Sequence, residues 1–278
     1  MAKRNKSKRP ERKILPKLHI FCEGEKTEPN YLRHYLSLCG GNDTPRDSVV
    51  IIEKRKKSTP VQLVEEARGK KESYPPCDKV WVVHDRESPT KYDDSLYHQV
   101  QQKAEAKGIR VALSNVCFEV WLLLHFQSNC AVYTSCSDLL NKSTLKKTHI
   151  PKYEKNFDCS TITFTQIFQA RLRAKQLNSA TKNGADRQWR YPYQWNPYSD
   201  VYKVLDEIDI FTRKADVISQ LTRNVEKILQ FIQGKKTTAI VKRINPVIRK
   251  VTELEQFYKE VDEILHAIEK EINEIPKR

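Results

Sequence analysis

IFCEGEKTEPNYL (residues 20–32) and VWVVHDRES (residues 80–88) decide how this chain is read. In the first stretch a short apolar run, KLHIFC from Lys17 to Cys22, ends in Glu-Gly-Glu. Thr27, Glu28 and Pro29 then open a helical pattern through Tyr31, Leu32, Tyr35 and Leu36. That succession of strand, turn and helix repeats over residues 49–52 with a helix at about residues 60–71. It repeats again over residues 80–83 with a helix at about residues 93–107. Strands alternating with helices predict an α/β fold with a parallel sheet flanked by helices. Gly108 ends the third helix, residues 110–113 predict a fourth strand, and residues 117–126 read as an apolar buried helix interrupted only by Glu119 and His125.

The topology matters because open parallel sheets bind ligands outside the carboxyl ends of their strands. Glu23 and Asp85 both follow strands, so acids some sixty residues apart are expected to meet at one edge. Glu87 lies two residues beyond Asp85 and faces the same way if the chain stays extended. Phosphodiester cleavage must neutralise charge at phosphorus and activate a water, a task that clustered carboxylates perform by holding Mg²⁺ or Mn²⁺. A single Glu after a strand reads equally as a solvated carboxylate, and the pairing carries the weight. His84 points away from Asp85 in an extended strand and is read as packing; His125 is read as a satisfied core histidine.

Composition narrows the partners. The 278 residues carry a formal charge of +15, with a pI near 9.4, which favours a polyanionic partner such as DNA or RNA. No run of about 18 apolar residues predicts a membrane span. Residues 1–16 read as a disordered basic arm around Glu11, without the apolar core of a secretory signal. Seven cysteines show neither CxxC pairs nor zinc-finger spacing, which argues against a structural zinc site and for a reducing, cytoplasmic setting. Lys54, Arg55, Lys56 and Lys57, just past the second strand, are candidates for substrate phosphates or a solvated turn, and Lys26 is counted with them. The segment RQWRYPYQWNPY interleaves Arg187 and Arg190 with Trp189, Tyr191, Tyr193, Trp195 and Tyr198; it reads either as a base-stacking surface or as a satellite core. A helix is expected over residues 165–177, followed by the polar loop TKNGADRQ. Residues 210–278 form a helical extension, because Ile218, Leu221, Val225, Ile228 and Ile232, then Val251, Leu254, Tyr258, Val261, Leu265, Ile268 and Ile272, repeat at coiled-coil spacing. These helices close as a hairpin or pair with a second protomer or another protein.

An apolar strand followed by Glu-Gly, and two strand-helix units later an apolar strand followed by Asp-x-acid, is the layout of the toprim domain. More specifically, the chain resembles the RloB-like family of bacterial defence proteins. The resemblance rests on FCEGEKTEPNYL, VWVVHDRES, SNVCFEVWLLLHF (residues 114–126), PKYEK (residues 151–155), ARLRAKQL (residues 170–177) and WNPYSDVYKVLDEI (residues 195–208), in the family's order within a domain spanning residues 17–209. It implies a toprim-like, metal-dependent nuclease acting against phage, by abortive infection or beside restriction systems, with transfer RNA or other RNA among its substrates. It also implies an ABC-type ATPase companion called RloA. Glu23 becomes a metal ligand or general acid or base, and Asp85 with Glu87 becomes the metal-binding pair. Glu87 stands where the toprim pattern usually has a second Asp, one methylene shorter. The family's Asn-x-x-Phe-Glu block falls on Asn115, Phe118 and Glu119, making Glu119 a further site residue or a structural ion-pair partner. Lys155 is either a cation against the scissile phosphate or a surface lysine. The alternative function is a non-catalytic nucleic-acid-binding or regulatory subunit of an ATPase-containing complex. Carboxylates gathered where phosphate must lie speak against it.

Overall fold

Burial along the first strand shows what kind of sheet the chain builds: all five residues of β1 (Leu18–Cys22) are buried, as both-face coverage demands. The computed structural model describes residues 16–39, 49–54 and 59–212. In it β1 lies between β2 (Val50–Glu53) and β3 (Lys79–Asp85), parallel to both. β4 (Arg110–Asn115) runs parallel to β3. The three sequence units therefore do build one parallel sheet.

The expected count of four strands is corrected by a fifth, β5 (Tyr198–Ser199), antiparallel to β4, giving the order β2-β1-β3-β4-β5. Two residues carry no readable period. What secures them is the Asn178 side chain, which donates Nδ2 to the Ser199 carbonyl at 2.9 Å and accepts the Ser199 N–H at 3.0 Å.

Helices cover both faces. α2 (Pro60–Lys71) and α3 (Asp94–Glu105) pack Leu63, Val64, Ala67, Val100 and Ala104 against Phe21, Val80 and Val82. On the opposite face α1 (Thr27–Cys39), α4 (Glu119–Leu123), α6 (Phe164–Gly184) and the helical residues 201–212 bring Tyr31, Tyr35, Trp121, Ile167 and Leu205 onto Ile20, Trp81 and Val83. A further short helix, α5 (Cys136–Lys142), lies against α4. Side-chain caps fix the starts of α2 at Thr59, α3 at Asp93 and α6 at Thr163 with Gln166.

Three boundaries differ from expectation. The apolar run 117–126 is helical over only five residues, all of them buried; an apolar run bounds burial, not helix length. α6 continues through Gly184, taking in half of the predicted polar loop, because Thr181 Oγ1 donates to the Pro197 carbonyl at 2.9 Å and holds that turn to the body. β3 ends at Asp85, so the assumption of an extended chain out to Glu87 fails. The predicted packing histidines behave as read. His84 is buried beside Tyr97, and burial pushes its imidazole down to about 4. His125 Nε2 pairs with the Tyr31 hydroxyl at 2.9 Å, and its Nδ1 with the Trp121 carbonyl at 3.0 Å. Among the described residues no helix is long and apolar enough to cross a membrane. Most of the basic arm, Arg55, Lys56 and Lys57, and residues 213–278 of the helical extension lie outside the described residues.

Candidate active site

The carboxyl ends of β1 and β3 bring the first two acids together. Beyond β1 the parallel register persists for one residue, Glu23 N–H donating to the Val83 carbonyl at 2.9 Å. This leaves the Glu23 carboxylate beside Asp85, and its Oε2 accepts the Asp85 backbone N–H at 2.9 Å. Burial, then Glu87 and Glu28, push Glu23 up to about 7, against the pull of that N–H and of Lys91. Asp85 is driven well above the usual carboxylate range by burial, then by Glu28, Glu23 and Glu119, with Lys155 opposing.

Glu28, whose charge bears on both, was read in the sequence only as part of a helix start. It projects from the first turn of α1, is 5% exposed, and accepts the Gly24 N–H at 3.0 Å. A Cβ on Gly24 would stand 1.8 Å from Glu28 Oε2, so the glycine is a condition of Glu28's seat. Its spacing, four residues before a first-turn Glu, is the signal that could have found the pair. Burial raises the Glu28 pKa, with Glu119 adding to it and Lys155 opposing.

Glu119 opens α4 with none of its surface exposed. It accepts from the Tyr153 hydroxyl at 2.5 Å, from Lys155 Nζ at 2.7 Å and from the Cys136 thiol at 3.2 Å. Burial alone would raise its pKa; Lys155 and Tyr153 hold it below the usual value. Burial likewise works against the Lys155 ammonium, yet Glu119, Cys136 and Asp85 keep its pKa above normal. The Lys155 side chain is 61% exposed, although its ammonium is paired with the buried Glu119. Its carbonyl accepts the Thr27 hydroxyl at 2.6 Å, which ties this segment to the start of α1.

Glu87 is placed differently from Asp85. Its φ of 58° is a left-handed conformation rarely taken by a residue with a side chain, and its N–H donates to the Val116 carbonyl at 2.8 Å. Its carboxylate pairs with Lys91 at 2.9 Å. Between the two acids the side chain of Arg86 turns inward at 3% exposure. It donates to the carbonyls of Tyr193 (3.0 Å) and Tyr92 (2.9 Å) and to Asp94 Oδ1 (2.8 Å), with its guanidinium over the Tyr97 ring. Asn115 Nδ2 reaches the same Tyr193 carbonyl at 3.1 Å, and Phe118 packs edge-on to Tyr31.

The basic candidates are more dispersed. Lys26 is exposed, with its carbonyl accepting the Asn30 N–H, and Lys54 is exposed directly after β2. Arg187 and Arg190 are exposed, but the aromatics between and after them mostly pack: Tyr191 stacks on Tyr193, Tyr193 on Tyr97, and Trp195 and Tyr198 are buried. Trp189 alone of that set is open, at 46%.

The oxygen donors of Glu23, Glu28 and Asp85 are of the type a hard divalent cation takes, and burial first, then neighbouring acids, raises the pKa of each. Glu23, Asp85 and Glu87 are not drawn into one tight group. Among the described residues, the three ligand side chains whose donor atoms all lie within 4.8 Å of one another are Cys117, Glu119 and Cys136, a set that CxxC spacing does not reveal.

A family model described as RloB-like protein matches residues 18–208, more than half of the chain. The chain belongs to the RloB-like family. Glu23, Glu28, Asp85, Glu119 and Lys155 all fall inside the matched span, so the acid cluster is built entirely from the RloB-like part of the sequence. Comparison with curated proteins and with solved structures gave no match.

Proposed function

We propose that this RloB-like protein is a toprim-type, metal-dependent nuclease that hydrolyses nucleic-acid phosphodiester bonds in antiphage defence. It works in the cytoplasm beside an RloA-like ATPase. The observation that carries the reading is the contact between the Glu23 carboxylate and the Asp85 backbone at 2.9 Å, within a cluster where burial and like charge raise the pKa of Glu23, Glu28 and Asp85. Like charge among these acids raises the cost of ionising them, a cost that Lys155 opposes and a bound divalent cation would offset further.

Glu23 and Asp85, with Glu87 or Glu28 completing the set, are the residues that hold Mg²⁺ or Mn²⁺. The ion supplies Lewis-acid polarisation of the phosphoryl oxygen and a more acidic bound water. The chain's own groups do the rest. In the alternative in which the ion leaves Glu23 uncoordinated, its pKa, pushed up to about 7, matches it to take or give a proton at neutral pH. Lys155 presents an ammonium, anchored by Glu119, against charge developing on phosphate. Glu119 and Tyr153 position that lysine and touch no substrate themselves. Exposed Lys26, Lys54, Arg187 and Arg190 supply cationic surface for the backbone of the strand, to which the sequence adds the charges of Arg55, Lys56 and Lys57, and the strand is DNA or RNA, with transfer RNA among the candidates.

The test is cleavage of labelled transfer RNA, single-stranded RNA and DNA by the full chain in Mg²⁺, with a chelator control. Glu23→Gln and Asp85→Asn are each expected to lower the rate by about 100-fold or more while the urea midpoint stays cooperative. Cutting that persists unchanged in both variants overturns the proposal.

A further inference from the structure

We propose that Cys117, Glu119 and Cys136 form a separate cation site for a thiophilic divalent ion of the zinc class, which competes with the Lys155 ammonium for the same ligands. The inference stands apart from the nuclease reading.

The three residues come from different elements that converge. Cys117 lies in the turn after β4, Glu119 is the first residue of α4, and Cys136 is the first residue of α5. Their Sγ and carboxylate oxygen atoms all fall within 4.8 Å of one another, with Cys136 Sγ 3.2 Å from Glu119 Oε2. Around tetrahedral zinc, with Zn–S near 2.3 Å and Zn–O near 2.1 Å, neighbouring ligand atoms stand about 3.5 Å apart.

Donor chemistry selects the ion. Two sulfurs and one carboxylate oxygen suit Zn²⁺, Co²⁺ or Cd²⁺ and are poor partners for Mg²⁺, which the neighbouring all-oxygen cluster prefers. Three protein ligands leave a fourth position for water, the pattern of an open zinc site. Binding releases the two thiol protons to solvent, so two thiolates and one carboxylate meet the divalent charge.

A second feature points the same way. The Lys155 ammonium already lies 2.7 Å from Glu119 Oε1 and 3.8 Å from Cys136 Sγ, so one cation is shared between two of the three ligand side chains. Lys155 reaches this place from a side chain that is 61% exposed, and it can withdraw to water when a divalent ion enters. Cys77, exposed and outside the group, is the natural control thiol.

The experiment uses the reduced full chain and Co²⁺ as a spectroscopic probe, with Zn²⁺ affinity read by competition against a chromophoric chelator. Wild type is expected to take one equivalent and to show a thiolate-to-cobalt charge-transfer band. Cys117→Ser and Cys136→Ser each lose most of that band and weaken Zn²⁺ binding by about tenfold or more, whereas Cys77→Ser changes neither. Lys155→Met strengthens Zn²⁺ binding on the order of tenfold, because an ammonium about 4 Å away no longer competes. No band in wild type, or a band unaltered in the Cys117→Ser/Cys136→Ser double variant, overturns the proposal. Should either serine variant misfold, alkylation mapping of wild type decides: Zn²⁺ must protect the partly exposed Cys136 and leave the exposed Cys77 reactive, and equal labelling of Cys136 with and without Zn²⁺ refutes the site.

Discussion

Replacing Gly24 by alanine tests the geometry of the acid cluster without touching a charge. The added methyl carbon would stand 1.8 Å from Glu28 Oε2, so the carboxylate must leave the Gly24 N–H that it now meets at 3.0 Å. A flexible side chain at the surface would swing aside at little cost. Glu28 is 5% exposed, and moving it gives up a charge-assisted hydrogen bond inside a desolvated pocket. Such a bond contributes about 1.5–3 kcal/mol, which sets the expected destabilisation of Gly24→Ala. The backbone itself is not the obstacle, since Gly108 is the one glycine in the left-handed region among the described residues. With Glu28→Ala already in place the clash vanishes, and the same substitution should be neutral or stabilise by about 0.4–1 kcal/mol through the unfolded state. The double-mutant cycle therefore predicts a change of sign, read from urea midpoints at constant m-value. An equal cost in both backgrounds would show that Glu28 does not occupy the Gly24 cradle and would remove it from the cluster.

Two further expectations concern the same rim. The Glu23 pKa is pushed up from 4.5 to about 7 on folding, so its contribution to stability is complete below about pH 4 and lost as pH rises through 7, worth at most about 3–4 kcal/mol. Urea midpoints between pH 5 and 8 should accordingly fall less steeply in Glu23→Gln than in wild type, and parallel slopes would contradict the assignment. Arg86→Lys should cost on the order of 2–4 kcal/mol in thermal or urea unfolding, because an ammonium cannot serve the Tyr193, Tyr92 and Asp94 oxygens at once; a loss under about 0.5 kcal/mol would refute that role.

The parallel core was legible because β1, β3 and their helices obey simple periods, and Glu23 and Asp85 follow from strand ends alone. What escaped reading was set by single residues. Glu28 looked like an ordinary first-turn acid, favourable to the helix dipole, and only its fit against Gly24 marks it as part of the site. Glu87 takes a left-handed backbone that no local pattern announces for glutamate, and the chain turns there instead of continuing β3. Cys117 and Cys136 are brought together by the bend between α4 and α5, a contact that spacing along the chain does not encode. β5 exists because Asn178 supplies hydrogen bonds to a two-residue strand, an effect of tertiary structure with no sequence period behind it.

The ammonium that offsets the acids arrives late in the chain. Glu28, Asp85 and Glu119 are all synthesised before Lys155, which comes 40 residues after the last residue of β4, Asn115. A nascent chain that has produced all four parallel strands still lacks Lys155, the ammonium that opposes the raised pKa of Glu28 and Asp85. The acids thus precede their counter-charge along the chain, and a product truncated before residue 155 carries the acids without it, and also without α6 and residues 201–212, which cover one face of the sheet.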